Sequence, residues 1–236
     1  MQYLLFPAAE RGTKDLGWLQ SRFTFSFSSY YNPARNGFGL LKVFNDDVVQ
    51  PGGGFGLHPH QNMEIISVLL AGRMNHKDTL GYSGEVAAGS VQIMSAGTGL
   101  RHEEHNIGDE PVHFLQIWIE PKLQQIQPRY QRRQFPRNQR HNRLVTIVSN
   151  EEGQQHCWIN QNARLSLGWF DTGKELTYSF NPLNKGLFVF VISGNVEVNG
   201  IALAPRDAVG IWNTEQVNLH IRETAEFLII ETPINH

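Results

Sequence analysis

The sequence predicts an all-β protein built from two β-barrels in tandem. Its 236 residues are 40% hydrophobic and 18% charged, which is enough apolar material for a packed core. Short runs rich in β-branched and aromatic residues recur along the chain, separated by Gly, Pro, Asn and Asp. Many short strands with regular turns are typical of a sandwich or a barrel. A helical turn is expected only within 122–133, before Pro128.

Nine segments carry the strand signal. They are 39–49, 63–72, 90–97, 112–121, 144–149, 163–170, 187–200, 207–212 and 225–233. Each is short and bounded by turn residues, so each predicts one strand or a hairpin.

The two halves of the chain resemble one another, which predicts an internal duplication. "SVLLAGRMNH" resembles "VFVISGNVEVNG" and aligns Gly72 with Gly194. "AGSVQIMSAG" resembles "PRDAVGIWNT" and aligns Ile93 with Ile211, and "VHFLQIWIEP" resembles "AEFLIIETP". Because the order is the same in both halves, each half is expected to build the same barrel.

The repeats also predict the domain boundaries. We expect a first barrel at 1–125, a linker at 126–141 and a second barrel at 142–236. The Pro, Gln and Arg content of 126–141 suits a surface connection, and its arginines are interpreted as a solvated charge run.

Charge and cysteine content exclude several classes of function. The formal net charge of −2 gives no basic field, so direct nucleic-acid binding is not expected. The single cysteine, Cys157, excludes an intramolecular disulfide and a Cys-based zinc site. The N-terminus does not read as a signal peptide, and no run approaches the roughly 20 apolar residues of a membrane span. A cytoplasmic protein without a membrane partner is therefore expected.

Two i, i+2 pairs of ligand-type side chains predict a metal site in the first half. His58 and His60 form one pair, and His102 and Glu104 form the other. Residues two apart on a strand share a face, so two such pairs on neighbouring strands can converge on one ion. Three imidazoles and one carboxylate leave positions open, as in a catalytic site. Pro59 suits a strand end or an edge strand.

Each pair has an alternative interpretation. A His-x-His pair alone is also typical of surface residues or of a hydrogen-bonded core pair. Glu103 and His105 are expected on the opposite face of their strand from the predicted ligands. His76 and Asp78 form a further i, i+2 pair, which we interpret as a solvated strand end or as support for the ligands.

The residues around the two pairs resemble the two cupin motifs. Residues that match the first motif, G-x5-H-x-H-x3-E, are Gly52, His58, His60 and Glu64. Residues that match the second motif are Gly89, Gly97, His102 and Asn106. Ser95 replaces the proline of the second motif, and two extra residues precede His102. These departures resemble the pirin family of bicupins, which also has opening strands like "SRFTFSFSSYYNP".

The pirin resemblance implies a fold, a ligand set and a metal. The fold is a bicupin of two jelly-roll-like barrels. The ligand set is His58, His60, His102 and Glu104, with Glu64 as a supporting residue. Iron, as Fe(II), is the usual metal, and Mn, Ni, Cu, Zn or Co also suit such donors. The second barrel is expected to hold no metal, because its matching positions offer only a lone His220.

The resemblance to bacterial pirins implies quercetin 2,3-dioxygenase activity. A flavonol would be opened by O2 with release of carbon monoxide, and Glu104 would accept the proton of the substrate's 3-hydroxyl group. The substrate would be a small planar phenol in the barrel mouth. Phe55, Leu57 and Met94 are candidate lining residues, and ordinary barrel core is the alternative for all three.

Two other functions stay open at this point. Some pirins are iron-dependent partners of transcription factors, so the chain is alternatively a regulatory or redox-sensing module with a protein partner and no turnover. A metal-using isomerase or hydrolase is the third candidate. Oxygen consumption with quercetin separates the dioxygenase from the other two.

Overall fold

The computed structural model describes residues 1–181 and 184–234, which form strands almost throughout. The strands up to residue 134 are β1 (Gln2–Phe6), β2 (Gly12–Asp15), β3 (Leu19–Phe23), β4 (Leu41–Val49), β5 (Gly54–His60), β6 (Glu64–Ala71), β7 (Arg73–Asp78), β8 (Ser83–Ala87), β9 (Ser90–Ser95), β10 (Leu100–Asn106), β11 (Val112–Ile119) and β12 (Arg129–Gln134). The later strands are β13 (Arg143–Ser149), β14 (Cys157–Trp158), β15 (Arg164–Phe170), β16 (Glu175–Ser179), β17 (Gly186–Ser193), β18 (Val196–Val198), β19 (Ile201–Leu203), β20 (Ala208–Trp212), β21 (Gln216–Ile221) and β22 (Ala225–Thr232).

The all-β prediction is confirmed, and every predicted strand segment contains a strand. The described helices are two short 3-10 helices, Ala8–Glu10 and Arg137–Arg140. Neither is long and apolar enough to cross a membrane. The helical turn expected before Pro128 is wrong, because residues 122–128 form bends and irregular backbone, and the chain after Pro128 pairs with β9 as β12.

The two halves have the same sheet topology, which confirms the duplication. The described strands form two seven-stranded sheets, β12-β9-β6-β11-β4-β3-β2 and β1-β20-β17-β22-β15-β13-β14. They also form two four-stranded sheets, β5-β10-β7-β8 and β16-β21-β18-β19. The strands correspond position by position, except that the edge strand β14 runs parallel to its neighbour, whereas β2 runs antiparallel. One large and one small sheet face each other in each half, as in the two barrels of a bicupin.

A glycine follows the third strand of each large sheet, β6 or β17, at matching positions. Gly72 follows β6 with a φ of +72°, and Gly194 follows β17 with a φ of +74°. A Cβ at Gly72 would lie 2.7 Å from the carbonyl oxygen of Pro111, and one at Gly194 would lie 2.1 Å from that of Thr224. Only glycine fits both the left-handed backbone and the close approach, so this part of the sequence alignment is confirmed.

The strand register corrects a second part of the alignment by one residue. Ile66 pairs with Ile93, and its counterpart Phe188 pairs with Gly210. Ile93 therefore corresponds to Gly210 and not to Ile211. The apolar pattern alone did not show this shift, because both strands are hydrophobic on both faces.

The two large sheets pack back to back and share one hydrophobic core. Alternate residues of β6, β9 and β11 point away from the first barrel into this core and meet side chains of the second half. Members from the first half are Ile66, Val68, Val91, Ile93, Leu115, Ile117 and Ile119, and members from the second half include Leu165, Leu167, Phe188, Phe190, Leu228 and Ile230. Because both faces of each large sheet are buried, the sequences of their strands are nearly continuous apolar runs.

Two strands near the ends of the predicted domains pair with a sheet outside the segment to which the sequence assigned them. β1 pairs with β20 in the second large sheet, whereas β12, inside the predicted linker, pairs with β9 in the first. Both strands occupy the same edge position of their sheets. Phe6 at the end of β1 is fully buried, and its ring lies 5.4 Å from Phe25 and 5.6 Å from Phe188. The division at 1–125, 126–141 and 142–236 stays a prediction.

A buried charge cluster crosses the same interface. Asp46 on β4 accepts a hydrogen bond from Nε2 of His113 and two from Nη1 of Arg206, each 3.3 Å long. Arg11 lies 3.9 Å away. Burial alone would raise the pKa of Asp46, but the His113 hydrogen bond and the neighbouring cations hold that pKa below its ordinary value. This cluster therefore favours an ionised Asp46 between the barrels.

We expect Phe6→Ala to lower the free energy of unfolding by about 3–5 kcal/mol, because it leaves a cavity in the shared core. Tyr3→Ala on the same strand is the control, since Tyr3 is 51% exposed, and it should change that free energy by less than about 0.5 kcal/mol. Equilibrium denaturation in urea measures both. Equal effects would show that β1 does not stabilise the protein through Phe6.

We expect Asp46→Asn to destabilise the protein at neutral pH by roughly 3–5 kcal/mol, because it leaves buried cations unpaired. A carboxyl group with a lowered folded-state pKa stabilises fully above its unfolded pKa of about 3.9, and the effect is lost as pH falls through the folded value. The difference from wild type should therefore shrink below about pH 4. Asp109→Asn, at an exposed position, is the control. A difference that persists undiminished in acid would assign the loss to packing rather than charge.

Candidate metal centre

The predicted ligands lie on two neighbouring strands, β5 and β10, of the small sheet in the first half. β5 and β7 flank β10 on its two sides. His102 on β10 is directly opposite His58 on β5, and Glu104 is directly opposite His76 on β7. Antiparallel pairing thus brings residues more than 40 positions apart in the sequence to the same end of the barrel.

The predicted faces of β10 are confirmed. His102 and Glu104 are buried, whereas Glu103 and His105 are partly exposed on the other face. Glu103 lies 3.7 Å from Nζ of Lys77 on the outer surface. Only the inward pair can therefore contribute to the cluster.

The edge strand β5 has the features that its sequence predicted. β5 is at the edge of its sheet, so Pro59 removes no interior hydrogen bond. A register shift lies between His102 and Glu104 where β10 pairs with β5. At Gly54 a Cβ would lie 2.5 Å from the carbonyl oxygen of Glu104, so the two backbones can approach there only without a side chain.

Three imidazoles face one another at this end of the barrel. Nε2 of His60 lies 3.1 Å from Nε2 of His102. The ring centroids of His58 and His102 are 4.4 Å apart, and those of His58 and His60 are 4.9 Å apart. One ligand atom from each of the three lies within 4.8 Å of the others. The structure thus brings the three predicted histidines together.

Glu104 lies beside this triad in a second, overlapping group. Ligand atoms of His76, His102 and Glu104 also lie within 4.8 Å of one another. The Oε1 atom of Glu104 is 3.8 Å from Nδ1 of His76 and accepts a hydrogen bond from the Gln92 amide. Tyr130 donates to Gln92 Oε1 at 3.1 Å. A chain of side chains from three further strands therefore orients the carboxylate.

His76 and Asp78 support the cluster, and the solvated-strand alternative for them is wrong. Both side chains are buried, and Nε2 of His76 lies 2.9 Å from Oδ2 of Asp78. The ring of Tyr130 stacks on His76 with centroids 4.4 Å apart. The burial follows from β8, which covers β7 on the side away from β10.

Gln92 and Tyr130 were not predicted as site residues. Gln92 carried one signal, since a polar side chain within the buried strand "SVQIMS" requires a partner. Tyr130 carried none, because its segment was interpreted as a linker. Its place beside His76 depends on β12 joining the first sheet.

The electrostatics keep the imidazoles in the form that binds metals. Burial, together with the neighbouring histidines, lowers the pKa of His60 to about 4, and burial lowers that of His102 to about 4. Nδ1 of His58 lies 2.8 Å from the carbonyl oxygen of Gly56 and donates to it, so Nε2 is the ring atom that faces away from this bond and can bind a metal. Burial alone would raise the pKa of Glu104, but His76, His102 and Gln92 hold it below its ordinary value.

The donor set fits a divalent transition metal. It offers three neutral imidazole nitrogens and one carboxylate, without thiolate. The Nε2 atoms of His60 and His102 face each other at 3.1 Å, so these are the imidazole atoms that point to a shared ion.

Glu64, a metal ligand in other cupins, lies outside the cluster. Its Oε2 atom accepts hydrogen bonds from Ser95 Oγ at 2.7 Å and from the backbone N–H of Asn160 at 3.2 Å. Burial raises the pKa of Glu64 to about 7. Ser95, the residue that replaces the motif proline, thus binds the displaced carboxyl group, and Asn160 links that group to the second half.

A cavity of about 460 Å³ opens beside the cluster and includes His58, His60 and Glu104 in its lining. Phe55 lines it as predicted. Leu57 and Met94 do not: Leu57 is 49% exposed on the outer face of β5, and Met94 packs in a separate buried cluster. The other lining residues are Lys14, Trp18, Leu19, Ser21, Phe23, Phe27, Ser28, Asn45, Asp47, Gly54, Gly56, Gln116 and Trp118.

The second barrel has apolar residues at the matching inward positions. With Gly72 matched to Gly194, the strand pairing places Val198, Val209, Val217 and Leu219 at the positions of His76, Gln92, His102 and Glu104. All four are buried in the core of that barrel. No metal-ligand cluster occurs among the described residues of the second half.

His220 corresponds to His105 rather than to His102. It lies on the outer face of β21, with Nδ1 3.6 Å from a carboxylate oxygen of Glu175. The expected lone histidine therefore exists but points out of the barrel, because the register here differs by three residues, an odd number, from the sequence alignment.

Family models match both halves of the chain. Residues 7–119 match the Pirin family model, and residues 146–232 match the quercetinase C-terminal cupin domain. The chain is 38% identical over 230 residues to the quercetin 2,3-dioxygenase of Escherichia coli K12, covering 97% of this chain and 98% of that one. It is 38% identical over 226 residues to a pirin-like protein of Caulobacter vibrioides, covering 95% and 97%.

The fold is also similar to solved structures. The crystal structure of the bacterial pirin YhhW from Escherichia coli in complex with nickel(II) has a TM-score of 0.93 and 35% sequence identity, with 99% of this chain and 100% of that one covered. A Bacillus subtilis oxalate decarboxylase, at 12% identity and a TM-score of 0.64, shares the fold.

We expect one divalent metal per chain, and we expect His102→Ala to lose it while keeping the fold. The barrels bury a core that does not depend on an ion, so the circular dichroism spectrum should not change. His220→Ala, on the outer face of the second barrel, is the control and should retain full metal content. Elemental analysis of the purified proteins measures both. Two tightly bound equivalents, or loss of metal in His220→Ala, would contradict this assignment.

Proposed function

The chain belongs to the pirin family, and on that premise we propose that it is a metal-dependent dioxygenase that opens the heterocyclic ring of flavonols such as quercetin. The reaction takes up one O2 per flavonol and yields a depside and one carbon monoxide. The observation that carries the proposal is the cavity of about 460 Å³, whose wall includes His58, His60 and Glu104 of the imidazole–carboxylate cluster. Its volume lies within the range of small-molecule sites, about 300–1,000 Å³.

The proposed ligands are His58, His60, His102 and Glu104. We propose Fe(II) as the ion, and nickel is compatible with the same donors, as the nickel complex of the similar YhhW indicates. When bound, the ion supplies a Lewis acid that holds and polarises the deprotonated oxygen of the substrate.

Glu104 is the proposed general base. Its carboxylate lies in the cavity wall beside His58 and His60, so it can take the proton of the flavonol's 3-hydroxyl group. The lowered pKa of Glu104 means that it is ionised at neutral pH and ready to accept that proton. The Gln92 amide and the His76 imidazole hold the carboxylate in place from behind.

Aromatic side chains shape the cavity for a planar substrate. Trp18 and Phe55 form an edge-to-face pair with centroids 5.4 Å apart, and Phe27 and Trp118 form another at 5.5 Å. Trp18 and Phe55 pack on one buried cluster of the barrel, and Trp118 packs on a different one. Aromatic rings therefore line the cavity on two sides. A cavity between aromatic rings suits a flat phenol, and the rings exclude water from the reacting atoms.

The test is oxygen uptake with quercetin by purified, iron-loaded protein, together with detection of carbon monoxide. We expect both, in equal amounts. Retention of the metal with no oxygen uptake, and a stable complex with a protein partner in a pull-down, would instead support the regulatory alternative.

We expect Glu104→Gln to lose flavonol turnover by roughly 10²–10⁴-fold, because an amide cannot act as a general base. Most of the metal should remain, since the three histidines are unchanged. Glu103→Gln, one residue away on the outer face, is the matched control and should leave turnover and metal content nearly unchanged. Oxygen uptake and metal content are measured side by side. If both variants keep full activity, Glu104 is not the base.

A further inference from the structure

Two buried oxygens in the cavity wall have no partner in the protein. Asn45 and Asp47 on β4 line the cavity and are only 2% and 4% exposed. Among the described residues, no donor reaches Oδ1 of Asn45 or Oδ1 of Asp47. A buried acceptor left unpaired costs stability, so packing of the barrel alone does not account for this pair in a substrate cavity.

The alternation of side chains along β4 directs both residues inward, and it would direct any residue at these two positions inward. Alternate residues of β4 face the barrel, and Asp46 between them points out to Arg206. Asn45 pairs with Gln116 and Asp47 with Phe114 on β11. Both therefore lie in the interior, next to the lining residue Gln116.

The second barrel shows that the fold itself does not need these polar groups. Its counterpart of β4 is β15, where the strand pairing puts Ser166 and Gly168 at the matching positions. A barrel of the same topology thus forms with neither an amide nor a carboxyl group there. The pair occurs in the barrel that has the metal-ligand cluster and the cavity.

We propose that Asn45 and Asp47 determine substrate specificity by accepting hydrogen bonds from ring hydroxyl groups of a polyhydroxylated planar phenol. The inference rests on the proposed function and deepens it, because these hydroxyls are other than the one whose proton Glu104 accepts. The two unpaired atoms are acceptor oxygens, and a phenolic O–H is the donor that a flavonol ring carries. A site built to bind a hydroxyl group rejects an analogue that lacks it, because its own buried acceptor is then left unpaired.

The carboxyl group of Asp47 suits such a partner. Burial, helped by the neighbouring carboxylates of Asp46 and Glu104, raises the pKa of Asp47 to about 7, against the effect of a hydrogen bond from Ser21. A donor from the substrate would relieve the cost of burying the ionised form. Ser21 is the one protein group that acts on Asp47 in this direction.

The test compares quercetin with 3-hydroxyflavone, which keeps the 3-hydroxyl group and lacks the other four. Dissociation constants are measured without O2 in metal-loaded protein from the quenching of tryptophan fluorescence, since Trp18 and Trp118 line the cavity. We expect wild type to bind quercetin at least about 10-fold more tightly than 3-hydroxyflavone, the discrimination of one or more hydrogen-bonded hydroxyls.

The variants Asn45→Leu and Asp47→Leu are close in volume and remove the acceptors. Each should weaken quercetin binding about 10-fold and leave 3-hydroxyflavone binding unchanged. Their Tm should stay the same or rise, because the unpaired buried oxygen is gone; a merely structural role predicts a lower Tm instead. Asp47→Asn keeps one acceptor oxygen and should retain most of the discrimination.

The outcomes separate this inference from the proposed function. Equal affinity of wild type for both ligands, or unchanged discrimination in both leucine variants, would overturn the specificity role. Discrimination that depends on the two residues, in a protein that consumes no O2 with either ligand, would support the specificity role and overturn the dioxygenase. Absence of binding to either ligand would overturn both.

Discussion

The hydrophobic contact between the two large sheets is the interaction on which the rest of the structure depends. It buries the outer face of each large sheet and so gives the molecule a core that lies outside both barrels. Because this shared core supplies much of the apolar burial, the interior of the first barrel can contain amides, carboxyl groups and imidazoles. The second barrel has an apolar interior, which adds further stability.

The polar interior of the first barrel is organised as a connected network. Gln92 joins Glu104 to Tyr130 and Ser67, and Asp78 holds His76. Buried polar groups are tolerated when they are paired, and such pairing also restricts each side chain to one orientation. The carboxylate and imidazoles are thus positioned before any ligand arrives, which is the condition for efficient chemistry at a fixed site.

Segments from outside the first predicted domain complete that domain. β12 brings Tyr130 against His76, and the backbone of Asn160 donates to Glu64 beside Ser95. β1 in turn closes the second large sheet with Phe6 in the shared core. The two barrels therefore stabilise each other through exchanged edges as well as through their common core, and the site of the first depends on chain that follows it.

The sequence by itself determined the all-β class, the duplication and the inward face of the ligand strands. These features are local: strand alternation sends His58 and His60, or His102 and Glu104, to one side, whatever strand lies next to them. Only the tertiary structure decided which side chains meet across strands. The pairing of β10 with β7 made His76 and Asp78 a buried support, and the strand β12 inside an apparent linker brought in Tyr130. The register of the second barrel also turned His220 outward, because a shift by an odd number of residues reverses the face of every side chain on a strand, and an apolar pattern without polar alternation cannot show that shift.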